Sequence, residues 1–167
     1  MSGTARFDPY AIVTALERRR VVYVLIGGFA RVIRGTEEVT DGVDVVPSLK
    51  PENLRRLDRA LADLGAHLTN GTPAALDSTV PILLELRTGA GELKVIPEPA
   101  GTRGGYDDLR RAATRELIGR GLRPTVASIG DLARMLAARG RDQDQLPLQQ
   151  LRTLSELERT LGRGLDR

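Results

Sequence analysis

Val21-Val22-Tyr23-Val24-Leu25-Ile26-Gly27-Gly28 is the stretch on which the reading of this chain turns. Its apolar residues follow one another without polar alternation, are rich in β-branched types and stop at two glycines. That pattern predicts a strand buried on both faces. Upstream, Asp8-Pro9 supplies an N-cap and a first-turn proline for a helix over residues 8–20, and Arg18-Arg19-Arg20 closes it where cations suit the helix dipole. Downstream, residues 29–34 read as a short helix, 35–38 as a turn and 43–46 as a second strand broken at Pro47.

The remaining chain follows by the same rules. Ser48, Pro51 and Glu52 open a helix with Leu54, Leu57, Leu61 and Leu64 at helical spacing, closed by Gly65. Residues 69–79 read as a loop. Strands are expected over 81–88 and 93–96, joined by Gly89-Ala90-Gly91 in hairpin fashion. A Gly/Pro loop over 97–105 precedes three expected helices, 106–117, 129–139 and 147–161, the last with Leu151, Leu154, Leu157 and Leu161 on one stripe. The order is α-β-α-β-α-β-β-α-α-α. It predicts an α/β (α+β) fold in one domain spanning 1–167, a small mixed sheet flanked by helices, with its core at about 20–100 and a helical C-terminal part at about 105–163.

Composition narrows the chemistry. The 167 residues, 41% hydrophobic and 28% charged, suit one globular domain. No apolar run approaches the roughly 20 residues that cross a bilayer, and residues 1–6 lack the apolar stretch of a secretory signal, so a cytoplasmic protein is expected. Without cysteine there are no disulfides, thiolate metal sites or thiol nucleophiles, and His67 is the only histidine. It follows a helix end and is read as a solvated side chain. Chemistry must therefore run on carboxylates, Lys, Arg, hydroxyls and backbone. The cations are 23 Arg against 2 Lys (Lys50 and Lys94), and the net charge is only +3. Between 101 and 141, arginines that include Arg110, Arg111 and Arg115 outnumber the acids, which makes this segment a candidate RNA or phosphate surface. With 3% aromatic residues, contact there would be electrostatic rather than stacked.

Strand, Gly-Gly, short helix and a second strand bearing acids form an arrangement that chemistry can use. Paired glycines admit a ligand close to the backbone, the helix N-terminus offers N–H groups to phosphate, and acids on the next strand suit Mg²⁺. The longer string is more specific. Val24-Leu25-Ile26-Gly27-Gly28-Phe29-Ala30, Thr40-Asp41-Gly42-Val43-Asp44-Val45-Val46-Pro47 and the Glu52–Ala66 helix, with Asp131-Leu132-Ala133-Arg134-Met135 and Gly140-Arg141 through Asp144, resemble the nucleotidyltransferase superfamily, and within it the bacterial toxin-antitoxin branch of AbiEii and MenT type toxins.

The resemblance implies a polymerase-β-like core in which three acids hold two Mg²⁺ (or Mn²⁺) ions. A nucleoside triphosphate is cleaved there, and its nucleoside monophosphate is joined to an RNA acceptor such as a tRNA 3′ end. A cognate antitoxin is an implied partner; a membrane is not. Carried onto this chain, Gly27 and Gly28 would shape the triphosphate pocket, Thr40 would touch phosphate, and Asp44 would be the catalytic metal ligand.

Three departures fall inside that set. Gly42 stands where the first acid belongs, Lys94 where the third acid belongs, and Leu136 where relatives place a phosphate-binding lysine. Two readings follow. In one, the site is eroded and Lys94 pairs with Asp44. In the other, a β-bulge at Gly42 swings Asp41 beside Asp44, Glu85 or Glu92 supplies the third carboxylate, and Arg139 takes over the phosphate contact; Arg141 and Asp144 are separate candidates for contact with the nucleotide. For Arg141 and Asp144 an ordinary i,i+3 surface bridge is the competing expectation.

Overall fold

The protein is described by a computed structural model that covers residues 6–74 and 83–165. In chain order the elements are α1 (Pro9–Arg18), β1 (Tyr23–Ile26), α2 (Gly27–Arg34), β2 (Gly42–Pro47), α3 (Pro51–Asp63), β3 (His67–Leu68), β4 (Leu84–Thr88) and β5 (Gly91–Val95). There follow α4 (Tyr106–Leu109), β6 (Thr114–Arg115), β7 (Thr125–Val126), α5 (Ile129–Arg139), a 3₁₀ turn (Asp142–Asp144) and α6 (Gln145–Leu165). Seven strands form one mixed sheet in the order β3-β4-β5-β2-β1-β7-β6.

The stretch around Tyr23–Ile26 is buried throughout because β1 is an inner strand. It pairs antiparallel with β2 along its whole length and parallel with β7 at Leu25↔Val126. Asn53, buried at the start of α3, pins the β1–β2 pair from below. Its Oδ1 accepts from the Val22 N–H at 2.7 Å, and its Nδ2 donates to the carbonyls of Val22 and Ser48 at 2.8 and 2.7 Å. At the N-terminus, Asp8 caps α1 by accepting from the Ala11 N–H at 3.2 Å, with Pro9 in the first turn.

Alternation along β2, β4 and β5 divides the sheet into two unlike faces. Val43, Val45, Leu86, Leu93 and Val95 lie on the buried face and join Ile12 and Leu16 of α1 and Leu57 and Leu61 of α3 in one core. The opposite face of the same strands carries Gly42, Asp44, Glu85, Arg87, Glu92 and Lys94, all at least partly accessible. A polar face on strands this close to the sheet centre has a reason: it floors a cleft.

Several expectations change here. The helix expected over 106–117 is only the single turn α4, and the chain then returns to the sheet as β6 and β7. Arg34 explains that return. Its guanidinium donates to the carbonyls of Ala127 (3.0 Å) and Val126 (2.9 Å) and to Glu116 Oε1 (2.7 Å), tying α2 to the β6–β7 edge. His67 is half-buried in β3, not solvated in a loop, and its Nδ1 lies 3.3 Å from the Gly65 carbonyl oxygen. Helix α3 is capped at Lys50 rather than Ser48. The leucine stripe of α6 packs only through its first half: Leu151 is buried and Leu154 half-buried, while Leu157 and Leu161 face solvent. The expected strand start at 81–82 and the loop at 75–79 lie outside the described residues. No helix among those described is long and apolar enough to cross a membrane.

Candidate functional site

The cleft opens where β1 turns directly into α2. Gly27 has φ +75°, a left-handed conformation natural to glycine, and Asp44 is packed against it. A Cβ added at Gly27 would stand 2.2 Å from Asp44 Oδ2. Ile26 is the N-cap of α2 and no side chain caps the helix, so its first N–H groups are left to other partners. Asp44 is the partner of Ile26 across the β1–β2 ladder and of Lys94 across the parallel β2–β5 ladder. Two residues earlier, Gly42 is the partner of Glu92.

Burial pushes the Asp44 carboxyl above the usual carboxylate range. The positive charges of Lys94 and Arg31 pull it back, and the negative charges of Glu92 and Asp41 push it further up. The electrostatic pull of Lys94 is thus present, but the expected contact pair is not: no ion pair within 4.0 Å and no hydrogen bond joins Asp44 to Lys94. Neighbouring positions on paired strands are about 4.8 Å apart, and here both side chains rise from the floor side by side.

The rescue by a β-bulge is also absent. The register runs unbroken from Gly42↔Glu92 to Val45↔Val95, and Asp41 stays exposed just before β2, at the mouth of the cleft. The strands leave little space for an acid at position 42: a Cβ there would lie 3.0 Å from both the Cβ and the carbonyl oxygen of Glu92. Glu92 is exposed at the same mouth, whereas Glu85, opposite Lys94 on β4, lines neither lobe of the cleft.

The cleft has two lobes that share Arg31, Asp44, Lys94 and Arg139. The polar lobe, about 190 Å³, adds Gly28, Thr40, Asp41, Gly42, Glu92 and Arg141. The other, about 230 Å³, is walled by Ile26, Leu83, Ile96, Leu132, Met135 and Leu136. Leu136 therefore gives an apolar wall to the lobe in which relatives are expected to place a lysine. A larger groove of about 720 Å³ beside α1, lined by Arg18, Arg19, Asp63 and Arg120, contains none of the candidate site residues.

Three residues that sequence reasoning passed over shape the rim. Arg31, 8% exposed, makes a forked contact with Glu38 (Nε to Oε2 2.9 Å, Nη2 to Oε1 2.9 Å), and the Thr36 hydroxyl donates to Glu38 Oε2 at 2.6 Å. Burial raises the Glu38 carboxyl, but these hydrogen bonds outweigh it and hold the group below its ordinary range. The only advance signal for Arg31 is its place one helical turn after Gly27. Thr40 Oγ1 donates to the Gly42 carbonyl at 3.0 Å and sits beside Gly28. Arg141 and Asp144 do form the expected i,i+3 pair, at 2.9 and 3.0 Å, between a buried carboxylate and an exposed guanidinium. Arg139 stands 3.8 Å from the same carboxylate. The cleft thus collects Gly27, Gly28, Thr40, Asp41, Asp44, Arg139 and Arg141. It excludes Arg110, Arg111 and Arg115, which lie exposed elsewhere, Arg110 near Asp107 (3.6 Å) and Arg115 donating to the Arg123 carbonyl (3.1 Å).

Comparison with solved structures now has a fold and a site to meet. The lincosamide antibiotic adenylyltransferase LnuA, solved with lincomycin, superposes with a TM-score of 0.59 at 16% identity over 87% of this chain and 95% of that one. The fold is that of nucleotidyltransferases. The antibiotic-resistance factor ANT(2'')-Ia gives a TM-score of 0.55 at 15% identity, covering 95% of this chain and 92% of that chain. Its complex with adenylyl-2''-tobramycin gives 0.51 at 14% identity. No family model and no curated protein matches the chain in sequence.

A nucleotidyltransferase fold implies divalent metal, and the donor set here fits it poorly. Among the described residues no three carboxylate or histidine side chains converge on a common point. Asp44 is the one acid on the cleft floor in the expected place, and its neighbour in register is an ammonium. A Mg²⁺ ion wants several oxygen ligands and tolerates a lysine beside it badly.

Proposed function

We propose that this chain is a nucleotidyltransferase-fold protein of the bacterial toxin-antitoxin kind, whose cleft binds a nucleoside triphosphate and whose metal-dependent transfer of a nucleotide to RNA is weakened or lost. The observation that carries this reading is the register Asp44↔Lys94 on the floor of a cleft otherwise built for phosphate. Gly27 and Gly28 admit the ligand to the backbone at the uncapped start of α2. Thr40, Arg139 and Arg141 line the same polar lobe or its border and supply donors. Asp44 retains the role of catalytic acid or metal ligand with Asp41 at the mouth, but without the second and third carboxylates a two-ion clamp has too few oxygens. Arg110, Arg111 and Arg115 offer an exposed cationic surface to a tRNA, and an antitoxin remains the partner expected of this type.

The decisive experiment incubates the protein with labelled triphosphates, Mg²⁺ or Mn²⁺ and total tRNA. Binding without label in RNA is the expected result and describes a non-catalytic module; efficient labelling would show an intact enzyme. A second reading concerns the acceptor. The 230 Å³ apolar lobe is of a size for a small organic molecule, and the structural neighbours were solved with lincomycin and an adenylylated tobramycin. Label appearing in a small aminoglycoside or lincosamide, and not in RNA, would favour it.

A further inference from the structure

We propose that the cleft takes its nucleotide as the metal-free polyanion, with Lys94 supplying fixed positive charge where a metal-dependent site holds a divalent ion, so that Mg²⁺ weakens binding instead of enabling it. The proposal rests on the reading of the cleft as a nucleoside triphosphate site and goes beyond it by specifying the ionic form of the ligand and its dependence on metal.

Lys94 is partly buried, lines both lobes, and has no hydrogen bond or ion pair with any described residue. An ammonium held in a cleft without an anionic contact is available to one. Every other cation of the rim is already held: Arg31 by Glu38, Arg141 by Asp144, and Arg139 near Asp144. These pairs fix the guanidiniums at the border of the cleft and leave Lys94 as its one cation without a contact partner among the described residues, acting on Asp44 only through its field. The four residues common to both lobes are three cations, Arg31, Lys94 and Arg139, and one carboxylate, Asp44.

The acids do not reverse this. Glu38 is engaged by Arg31 and Thr36, and Asp41 and Glu92 sit exposed at the mouth of the polar lobe, where water screens them. A divalent ion seeking Asp44 would have to stand beside the Lys94 ammonium, one strand spacing away, while the other carboxylates of that face are Glu92, exposed at the mouth, and Glu85, opposite Lys94 but lining neither lobe. A triphosphate meets the opposite situation. Its oxygens are attracted by Lys94 and by the uncapped N-terminus of α2, which it can approach at Gly28, where there is no side chain, while Asp44 occupies the space beside Gly27. Magnesium bound to that triphosphate reduces the negative charge Lys94 would read and brings a cation towards a cation.

The test is direct. Each nucleoside triphosphate is titrated by calorimetry into the full chain in EDTA and again in excess Mg²⁺, with wild type, Asp44→Asn and Lys94→Met, the folding of each variant being checked by its melting curve. Wild type should bind at least about threefold more tightly in EDTA. Lys94→Met should lose about tenfold or more in EDTA, as expected when one charge-assisted contact is removed. The sign for Asp44→Asn separates the alternatives: it strengthens binding where the carboxylate only repels phosphate, and weakens it where the carboxylate holds a bridging metal. Binding that requires Mg²⁺ in wild type, or that Asp44→Asn weakens, overturns the inference and leaves the nucleotide reading standing. No binding under either condition overturns both. The wild-type comparison needs no variant to fold.

Discussion

The two strands that floor the cleft, β2 and β5, run parallel in one register yet carry opposite chemistry. On β2 the acid nearest the glycine turn, Asp44, is present and pressed against Gly27, while position 42 is bare. On β5 the same two levels hold Glu92 and Lys94. One strand thus carries no acid at the level where a carboxylate stands on its neighbour, and at the next level the acid is matched by a cation. Charge in a cleft is set by pairs across strands, so losing one motif residue is read correctly only beside its partner in register.

The largest expected effect tests how tightly the Gly27 side is built. Gly27→Ala introduces a Cβ 2.2 Å from Asp44 Oδ2 at a residue with φ +75°; chemical denaturation should show a loss of about 2–4 kcal/mol. Adding Asp44→Ala should return part of it, leaving the ~1 kcal/mol backbone share, and full additivity of the two losses would show that the contact is not what opposes the methyl group.

Restoring the β2 acid probes the other side. Gly42→Asp must displace Glu92 from a 3.0 Å approach and should cost about 1–2 kcal/mol, with Glu92→Gly relieving only the share due to the Glu92 Cβ and not that due to its carbonyl oxygen. Adding Lys94→Asp to Gly42→Asp should create Mg²⁺ binding, visible as a metal-dependent rise in melting temperature that Gly42→Asp alone does not give. A rise for Gly42→Asp alone would mean that Lys94 is no obstacle.

Asp44 gives a smaller, pH-dependent effect. Its folded pKa is raised, chiefly by burial, so between the ordinary value of 3.8 and that raised value the native state binds more protons than the unfolded chain. Stability from this group is therefore lost as pH rises through that window and stays lower above it. Asp44→Asn should melt higher than wild type at pH 7, by about 2–4 °C for a gain on the order of 1 kcal/mol, and the difference should shrink as pH falls through the raised value towards 3.8 and be gone below it. An advantage that persists unchanged in acid would point to packing and not ionisation.

The smallest effect lies outside the cleft. Arg110→Ala, at a position exposed to solvent and 3.6 Å from an equally exposed Asp107, should change stability by less than about 0.5 kcal/mol. Any loss of tRNA retention in that variant, measured by filter binding across a salt series, then reports a phosphate contact.

Local features were legible in the sequence where short-range physics fixes them. The Asp8-Pro9 cap, the unbroken apolar run of β1, the glycine turn and the leucine spacing of α3 each depend on neighbours a few residues away. The two-residue strands β3, β6 and β7 were not legible, because two residues form a strand only when a partner is already waiting, and Arg34 holds that partner across 93 residues of chain. Leu157 and Leu161 fitted the periodicity of a core helix and face solvent, since periodicity says which side of a helix is apolar and not whether anything covers it.

For the cleft the division is sharper. Which ionisable groups exist was settled by the sequence: one aspartate where acids are expected, a glycine and a lysine where two more would be, and no cysteine to substitute. What those groups do to one another was settled only when β2 and β5 came together, residues 44 and 94 side by side and 42 closed against 92. Coulomb forces and steric exclusion act through distances of a few ångströms in space, and chain order does not fix those distances for residues fifty positions apart.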